Sequence, residues 1–293
     1  MANIVCFGEV LWDVFPTYKK IGGAPLNVAL RLNSFNNKVS MISCVGHDAN
    51  GKALLTYLKD IGFNISHIQI NKEFNTSEVI VSLDEKGSAS YSIEFPCAWD
   101  NILCSDTLLD SVKSADAFIF GSLVARNDVS YNTLLKLLDV AAFKVFDVNL
   151  RPPHYKTSVL VELMQKANFI KFNDYELFEI CKELNFNSND LLENIEFISK
   201  KTDTESICVT LGEHGAGLYL GGTFYNNSGY KVNVVDTVGA GDSFLASIID
   251  KLLKKETPQS TIDFACSVGA LVASKIGANP KISDKEIFEL IKG

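Results

Sequence analysis

The sequence predicts an α/β fold: a mainly parallel sheet with helices on both faces, in a single domain over residues 1–293, with a small separate β unit formed by about 10–17 and 74–99. From Asp116 onward, short runs rich in Val, Ile and Phe alternate with amphipathic stretches at helical spacing. That is the rhythm of βα units. Before it, extended segments follow one another in a way that does not suit a parallel sheet, so they form a unit of their own. The composition, 47% hydrophobic and 21% charged, is that of a globular chain, and 293 residues suffice to bury a large core.

Ile4 to Phe7 reads as a buried strand ended by Gly8, and Val10 to Pro16 as a short extended piece carrying Asp13. Ile21-Gly-Gly-Ala-Pro-Leu-Asn27 opens an amphipathic helix, with Pro25 suited to its first turn. Val39 to Val45 is a strand, followed by a helix from about Gly51 to Asp60. Phe74 to Leu83 and Ser88 to Phe95 alternate with period two across a turn at Asp84-Glu-Lys-Gly87. Strands at Ala117 to Gly121, Lys144 to Val148 and Phe169 to Phe172 are separated by helices at Tyr131 to Phe143 and Val159 to Gln165. Helices near Leu177 to Leu184 and Leu191 to Lys200 precede a strand at Ser206 to Leu211. A hairpin of Gly215 to Leu220 with Thr223 to Tyr225 follows. Val232 to Val235 is a short β-branched run that gives way to the small-residue loop Val238 to Gly241, and a helix opens at or near Asp242, closed by Lys254 and Lys255. Helices from about Thr257 and from Lys285 finish the chain. Such sheets collect ligands at the carboxyl ends of their strands, where Asp13, Asn149, Arg151, Asn173, Glu176, Thr210 and Asp242 fall.

The net charge is −8, and the only arginines are Arg31, Arg126 and Arg151, which argues against nucleic acid or an anionic membrane as a partner. A phosphate-bearing ligand must then be held by local devices, against the global field. Seven cysteines form no CxxC pair and suggest a reducing compartment. Met1-Ala-Asn runs directly into a strand-like segment and no apolar run reaches membrane-spanning length, so the expectation is a cytoplasmic protein. His47, His67, His154 and His214 lack ligand spacing, which speaks against zinc.

Gly239 and Gly241 stand just before a helix, where bare N–H groups and the positive end of the helix dipole make an anion pocket. Asp242 lies at its mouth, although a carboxylate there also serves as a plain helix cap. The stretch Asp236-Thr-Val-Gly-Ala-Gly-Asp-Ser-Phe244 resembles the C-terminal signature of the ribokinase-like (PfkB) carbohydrate kinases. Gly22, Gly23, Asn27 and Ala29 resemble the N-terminal motif of the same family, Gly-Gly-x-x-x-Asn-x-Ala. Together, in the family's order, they extend the resemblance over nearly the whole chain. There is no Walker-type Gly-x4-Gly-Lys-Ser/Thr loop, and Gly239-Ala-Gly241 lacks the third glycine of a dinucleotide fingerprint.

The resemblance implies a three-layer ribokinase-like fold with the small β unit as a lid over a sugar. It implies transfer of the γ-phosphoryl group of ATP to a sugar hydroxyl. The backbone of Gly239, Ala240, Gly241 and Asp242 would hold the transferring oxygens, and Asp242 would accept the hydroxyl proton. Asp13, Asn27 and the Gly22-Gly23 backbone would pair with sugar hydroxyls. Asn173 and Glu176 match the family's Asn-x-x-Glu motif, which helps place Mg²⁺ through water; the same pair would also cap a helix. Arg151 serves either phosphate or a carboxylate neighbour, and Thr210 with Gly212 resembles the strand-end pair lining the nucleotide. Asp236, Val238, Val272, Lys275 and Gly277 align with a potassium (K⁺) site of ribokinase relatives. Lys281, however, stands where ribokinase has a serine hydroxyl, and an ammonium there would replace or repel the ion.

Phe95-Pro-Cys-Ala-Trp-Asp100, Gly8 to Pro16 and Phe120 to Arg126 look like the fructokinase branch, with Trp12 and Trp99 either lid core or sugar contacts. Phe74 to Trp99 contains no Arg and only turn-located basic residues such as Lys86, which favours a neutral hexose over the acidic 2-keto-3-deoxygluconate. The alternatives are a 2-keto-3-deoxygluconate kinase, another sugar or nucleoside kinase of the family, or a catalytically silent sugar sensor. Alternating apolar residues of the hairpin, Val79, Val81, Tyr91 and Ile93, suggest a homodimer formed through the lids.

Overall fold

The computed structural model describes residues 1–83 and 89–293, and side chains outside 81–91; the expected turn at Asp84 to Gly87, with Lys86, lies outside the described residues. The chain begins with β1 (Asn3–Phe7), β2 (Leu11–Val14), β3 (Lys19–Gly22) and α1 (Ala24–Ser34). Next come β4 (Lys38–Gly46), α2 (Ala49–Asp60) and β5 (Ile68–Asn71), then β6 (Glu78–Leu83) and β7 (Ala89–Ile93). The βα rhythm occupies α3 (Asp106–Lys113), β8 (Ala117–Gly121), α4 (Asp128–Val140), β9 (Lys144–Asp147), α5 (Thr157–Lys166) and β10 (Phe169–Asn173). It continues through α6 (Asp174–Glu183), α7 (Leu191–Thr202) and β11 (Ser206–Thr210) to the antiparallel pair β12 (Ala216–Leu220) and β13 (Thr223–Asn227). Helices α8 (Ala240–Leu253), α9 (Pro258–Ala273) and α10 (Asp284–Lys292) close the chain.

The main sheet runs β13-β12-β11-β10-β9-β8-β1-β4-β5, parallel from β11 to β5. Successive residues of its strands alternate between two cores. Ile4, Cys6, Phe169 and Cys208 pack under α1, α2, α8 and α9, whereas Val5, Phe7, Ile170 and Phe172 pack under α3 to α7. Burial of both faces accounts for the near-continuous apolar runs in the sequence. Each such side chain, fully removed from water, contributes roughly 1.5–3 kcal/mol before the cost of ordering it. The chain leaves β1 toward β4 on one side and returns to β8 on the other, so the strand order reverses between β1 and β8. A crevice opens at such a switch point, at the carboxyl ends of the strands.

A second sheet, β3-β2-β6-β7, is the separate β unit. It includes Lys19–Gly22, which the sequence reading left unassigned, as it did β5 and α3. Trp99 is neither lid core nor placed to touch a sugar: it is fully buried in the main core beneath α3 and α4, on a 3₁₀ turn over Ala98–Asn101. Val79 is 5% exposed and Ile93 packs against the main core, so these two do not supply the surface from which a lid-to-lid homodimer is expected. The side chains of Val81 and Tyr91 lie outside the described residues.

Val232 to Val235 forms no strand. Its β-branched residues find no neighbouring strand to pair with; the N–H groups of Val235 and Asp236 donate instead to the Ala273 carbonyl at the end of α9. Val234 and Val235 are left more than half exposed. Among the described residues no helix is long and apolar enough to cross a membrane.

Candidate active site

Helix α8 begins at the loop the glycines punctuate. Gly239 is its N-cap at φ 76°, and a Cβ there would lie 2.5–2.7 Å from atoms of Ala278, so both conformation and space demand glycine. No side chain caps the helix. The Ala240 N–H turns to the Thr237 carbonyl at 3.2 Å, which leaves Gly239, Gly241 and Asp242 to present bare donors. Ala240 is thus a weaker member of the expected cradle than its neighbours.

Asp242 is positioned by α1. The Asn27 side chain donates to Asp242 Oδ2 at 2.8 Å, and its own Oδ1 accepts from Asn279 at 3.1 Å. Asn27, expected on a sugar hydroxyl, is here engaged by protein on both polar atoms. It reaches α8 because Gly23 caps α1 and takes the Asn27 N–H at 2.9 Å, fixing the first turn. Helices α1 and α8 are also joined by Arg31, whose Nε donates to Ser243 Oγ at 3.0 Å. Protein surrounds Asp242 on all sides but the mouth of the site. That desolvation, with the Asp147 carboxylate nearby, raises its pKa to about 6 against the opposing pull of Asn27, Lys171 and Arg151.

Asp13 projects from β2 onto the β3 partner strand. A Cβ at Gly22 would lie 2.2 Å from Asp13 Oδ2, so Gly22 makes room for this carboxylate. Burial lifts Asp13 to a pKa of about 6, with Arg151 and Lys20 pulling the other way. The positive charge of Arg151 acts to lower the pKa of Asp13, Asp242 and Glu9, while its Nη1 donates to the Leu150 carbonyl at 2.9 Å.

Three charged residues of this neighbourhood escaped the sequence reading: Glu9, Asp147 and Lys171. Glu9 follows β1 at the switch point, is 3% exposed, and keeps Oε2 without a partner. Burial pushes its pKa to about 7. Lys171 of β10 and Asp147 of β9 form a buried ion pair, Nζ to Oδ1 3.0 Å, with Asp147 Oδ2 unpartnered. The signal was present in Lys144-Val-Phe-Asp147 and Phe169-Ile-Lys-Phe172: a charge at a position whose period-two neighbours are core.

Asn173 and Glu176 form a capping box at α6, with Asn173 Oδ1 accepting the Glu176 N–H and Glu176 Oε2 accepting the Asn173 N–H, both at 2.8 Å. Glu176 Oε1 accepts the Leu150 N–H at 2.9 Å, so this carboxylate ties the Arg151 loop to α6. Each Glu176 oxygen thus already accepts one backbone N–H. Thr210 ends β11, with Gly212 at φ 59° just beyond it.

At the aligned potassium positions, Asp236 accepts the N–H groups of Val238 and Gly277, both at 3.0 Å, and Lys20 Nζ lies 3.9 Å from Asp236. The Val272 carbonyl accepts the Lys275 N–H at 3.0 Å. Lys275 Nζ donates to the Lys281 carbonyl at 2.8 Å and pairs with Glu286 at 2.6 Å. The ammonium that enters here is therefore that of Lys275, not of Lys281, which is exposed and contributes its carbonyl. Lys20 and Lys275 thus bring ammonium groups to this loop, the latter paired with Glu286, and of the aligned carbonyls that of Val272 already accepts an N–H.

The profile described as pfkB family carbohydrate kinase matches residues 1–285. A fructokinase of Solanum tuberosum is 28% identical, over 99% of this chain and 96% of that protein. Among solved structures, an uncharacterized sugar kinase of Pyrococcus horikoshii in complex with ATP superposes with a TM-score of 0.82 at 27% identity, covering 98% of this chain and 99% of that one. A 2-dehydro-3-deoxygluconokinase of Thermotoga maritima shares the fold at a TM-score of 0.86 and 19% identity, over the full length of both chains. With the glycine-capped start of α8, the Gly22-Gly23 turn and the three-layer sheet in place, the chain belongs to the pfkB family of carbohydrate kinases.

Proposed function

We propose that this sugar kinase transfers the γ-phosphoryl group of ATP to the 6-hydroxyl of fructose. The observation that carries the reading is the juxtaposition of bare N–H donors at Gly239, Gly241 and Asp242 with the Asp242 carboxylate, held by Asn27. The sugar hydroxyl approaches Asp242 and the γ-phosphoryl group rests on the donors. The new O–Pγ bond forms as the bond from Pγ to the β,γ-bridging oxygen breaks, ADP leaves, and the hydroxyl proton passes to Asp242. At a pKa of about 6 the carboxylate is mostly ionised at neutral pH and a better base than a free aspartate. Arg151 supplies positive potential over the crevice, and Asp13 accepts hydroxyls from the sugar.

Magnesium, entering with ATP, would neutralise phosphate charge, with Glu176 reached through water. Val234, Val235 and Ile276 leave large apolar surface exposed on two loops joined by the Gly277 to Asp236 hydrogen bond, a platform suited to the purine base. Potassium is left out, because Lys275 and Lys20 already bring positive charge to that loop.

The choice of fructose rests on charge. Arg126 does reach the stem of the lid, stacking on Phe95 and Trp99, but Asp100 neutralises it with a two-pronged ion pair. No free cation remains at the stem to welcome a sugar acid among the described residues. The 2-keto-3-deoxygluconate reading stays second, supported by Arg151, whose positive charge acts on Asp13 and would favour a substrate carboxylate. A coupled assay with ATP across fructose, ribose, ketodeoxygluconate and nucleosides decides between them. Fructose should give the highest kcat/KM; preference for ketodeoxygluconate would refute the choice, and no turnover with any sugar would favour a silent sensor.

A further inference from the structure

Lys171 occupies a position at which the fold calls for a hydrophobic residue. Its strand neighbours Ile170 and Phe172 fill the core under α3 to α7, and Phe169, two residues back, fills the core under α8. Lys171 faces the same way as Phe169 and is 6% exposed. Asp147 stands at the equivalent point of β9, paired in register with Lys171. A buried ion pair of this kind is seldom worth its desolvation cost as a stabilising device, so its presence beside the candidate site calls for a functional account.

The pair lies beneath the first turn of α8. A Cβ on Gly241 would sit 3.6 Å from Lys171 Nζ, so the ammonium is packed against the backbone that presents the bare donors. An ammonium has three donors, and Asp147 Oδ1 is its one hydrogen-bond partner among the described residues. Lys171 also acts electrostatically on Asp242 and on Glu176 of α6. The groups facing Asp242 come from every element packed around it: Asn27 from α1, Glu9 after β1, Asp147 and Arg151 from β9 and its loop, and Lys171 from β10. Of these, Glu9 and Asp147 disfavour a negative Asp242, whereas Lys171 and Arg151 favour it. Arg151 sits on a loop and belongs to the substrate side, so Lys171 is the counter-charge built rigidly into the sheet.

We propose that Lys171, steered by Asp147, is a positioning residue that keeps the Asp242 carboxylate ionised at the first turn of α8 while a phosphoryl group is bound beside it. The arrangement rests on the reading of Asp242 as the proton acceptor. It supplies what that reading needs: without a fixed cation, the approach of a multiply charged phosphate would drive a proton onto Asp242.

The test is the pH profile of kcat for the best acceptor of the sugar panel, since this parameter reports groups of the loaded enzyme, with phosphate beside Asp242. Lys171→Met should move the acid limb upward by about one pH unit or more and lower kcat more than it raises KM for the sugar. Asp147→Asn should move the limb downward. The double variant, with both charges gone, should return it close to the wild-type position, and Lys171→Arg should keep most of the limb unshifted. A wild-type limb in Lys171→Met, despite reduced turnover, would make Lys171 structural and overturn the proposal. Should Lys171→Met fail to fold, the Asp147→Asn and double variants still decide: limbs that do not separate overturn it equally. Asp242→Asn in the same assay keeps the two ideas apart. Near wild-type turnover there removes the proton acceptor itself, whereas a collapsed rate with no shift in the lysine variants removes only Lys171.

Discussion

Two buried ion pairs sit at the carboxyl edge of this sheet, and their difference separates structure from chemistry. Arg126 meets Asp100 with both Nε and Nη2 at 2.7 Å, and the side chains are 3% and 0% exposed. Asp100 further accepts the Cys97 N–H at 2.9 Å, and the guanidinium lies 4.0 Å from the Trp99 ring centroid. Every oxygen of this carboxylate is used, and the pair pins the chain just after β7 of the second sheet through the Glu94 carbonyl. Lys171 and Asp147 are almost as buried, yet they meet through one contact and leave Asp147 Oδ2 bare, with the carboxylates of Glu9 and Asp242 close by. Arg126 Nη1 also lacks a partner among the described residues, so the contrast lies in the carboxylates: the Asp100 carboxylate, with both oxygens engaged, holds a shape, and the Asp147 carboxylate, left short among like charges, holds a potential.

The comparison breaks first on activity. Asp242→Asn should lower kcat by on the order of 10²–10⁴ while sugar binding is retained, as measured by steady-state kinetics and calorimetric titration; turnover near wild type would remove Asp242 from the mechanism. On stability the order reverses. Arg126→Met leaves Asp100 buried without its partner and should cost about 3–5 kcal/mol in denaturant unfolding, and a loss below about 1 kcal/mol would mean the pair is not the clamp described.

Asp242→Asn, by contrast, should stabilise the fold by about 1 kcal/mol at pH 7. The sign follows from linkage. The folded pKa of about 6 lies above the unfolded value of about 3.9. Between these values the native state holds a proton the unfolded chain has lost, so this group makes stability rise as pH falls through the window. The Asn variant should lack that contribution, and an unchanged pH slope of unfolding would contradict it. The smallest effect expected is that of the monovalent cation. Replacing potassium with sodium or choline should leave kcat within about twofold, and strong activation by potassium would show that Lys275 does not take the ion's place.

The fold was legible because its signals are local. Alternating apolar runs and helical stretches give β8 to α7 in the right order, the strands closely and the helices with ends that differ by up to about three residues, and the glycines announce the starts of α1 and α8. What local signals do not reveal is decided by partners far along the chain. Val232 to Val235 has strand-forming residues but no strand beside it, so its N–H groups go to the end of α9. Trp99 looked like lid because it follows the hairpin, yet the chain turns back into the main core before reaching it. Gly22 and Asp242 stand out as candidates by motif, and Asp13 by its place after a strand. Glu9, Asp147 and Lys171 do not, although a lone charge within a buried strand was the available clue. The engagement of Asn27 with Asp242, a contact across 215 residues, had no signal in either segment.

The central claim is that the start of α8 receives the migrating phosphate beside Asp242. A crystal structure of the chain with fructose and a non-hydrolysable ATP analogue tests it most directly. The terminal phosphate should lie within hydrogen-bonding distance of the Gly239, Gly241 and Asp242 N–H groups, with the fructose 6-hydroxyl on the Asp242 carboxylate. A terminal phosphate bound elsewhere, or a sugar that turns a different hydroxyl toward Asp242, would contradict the account.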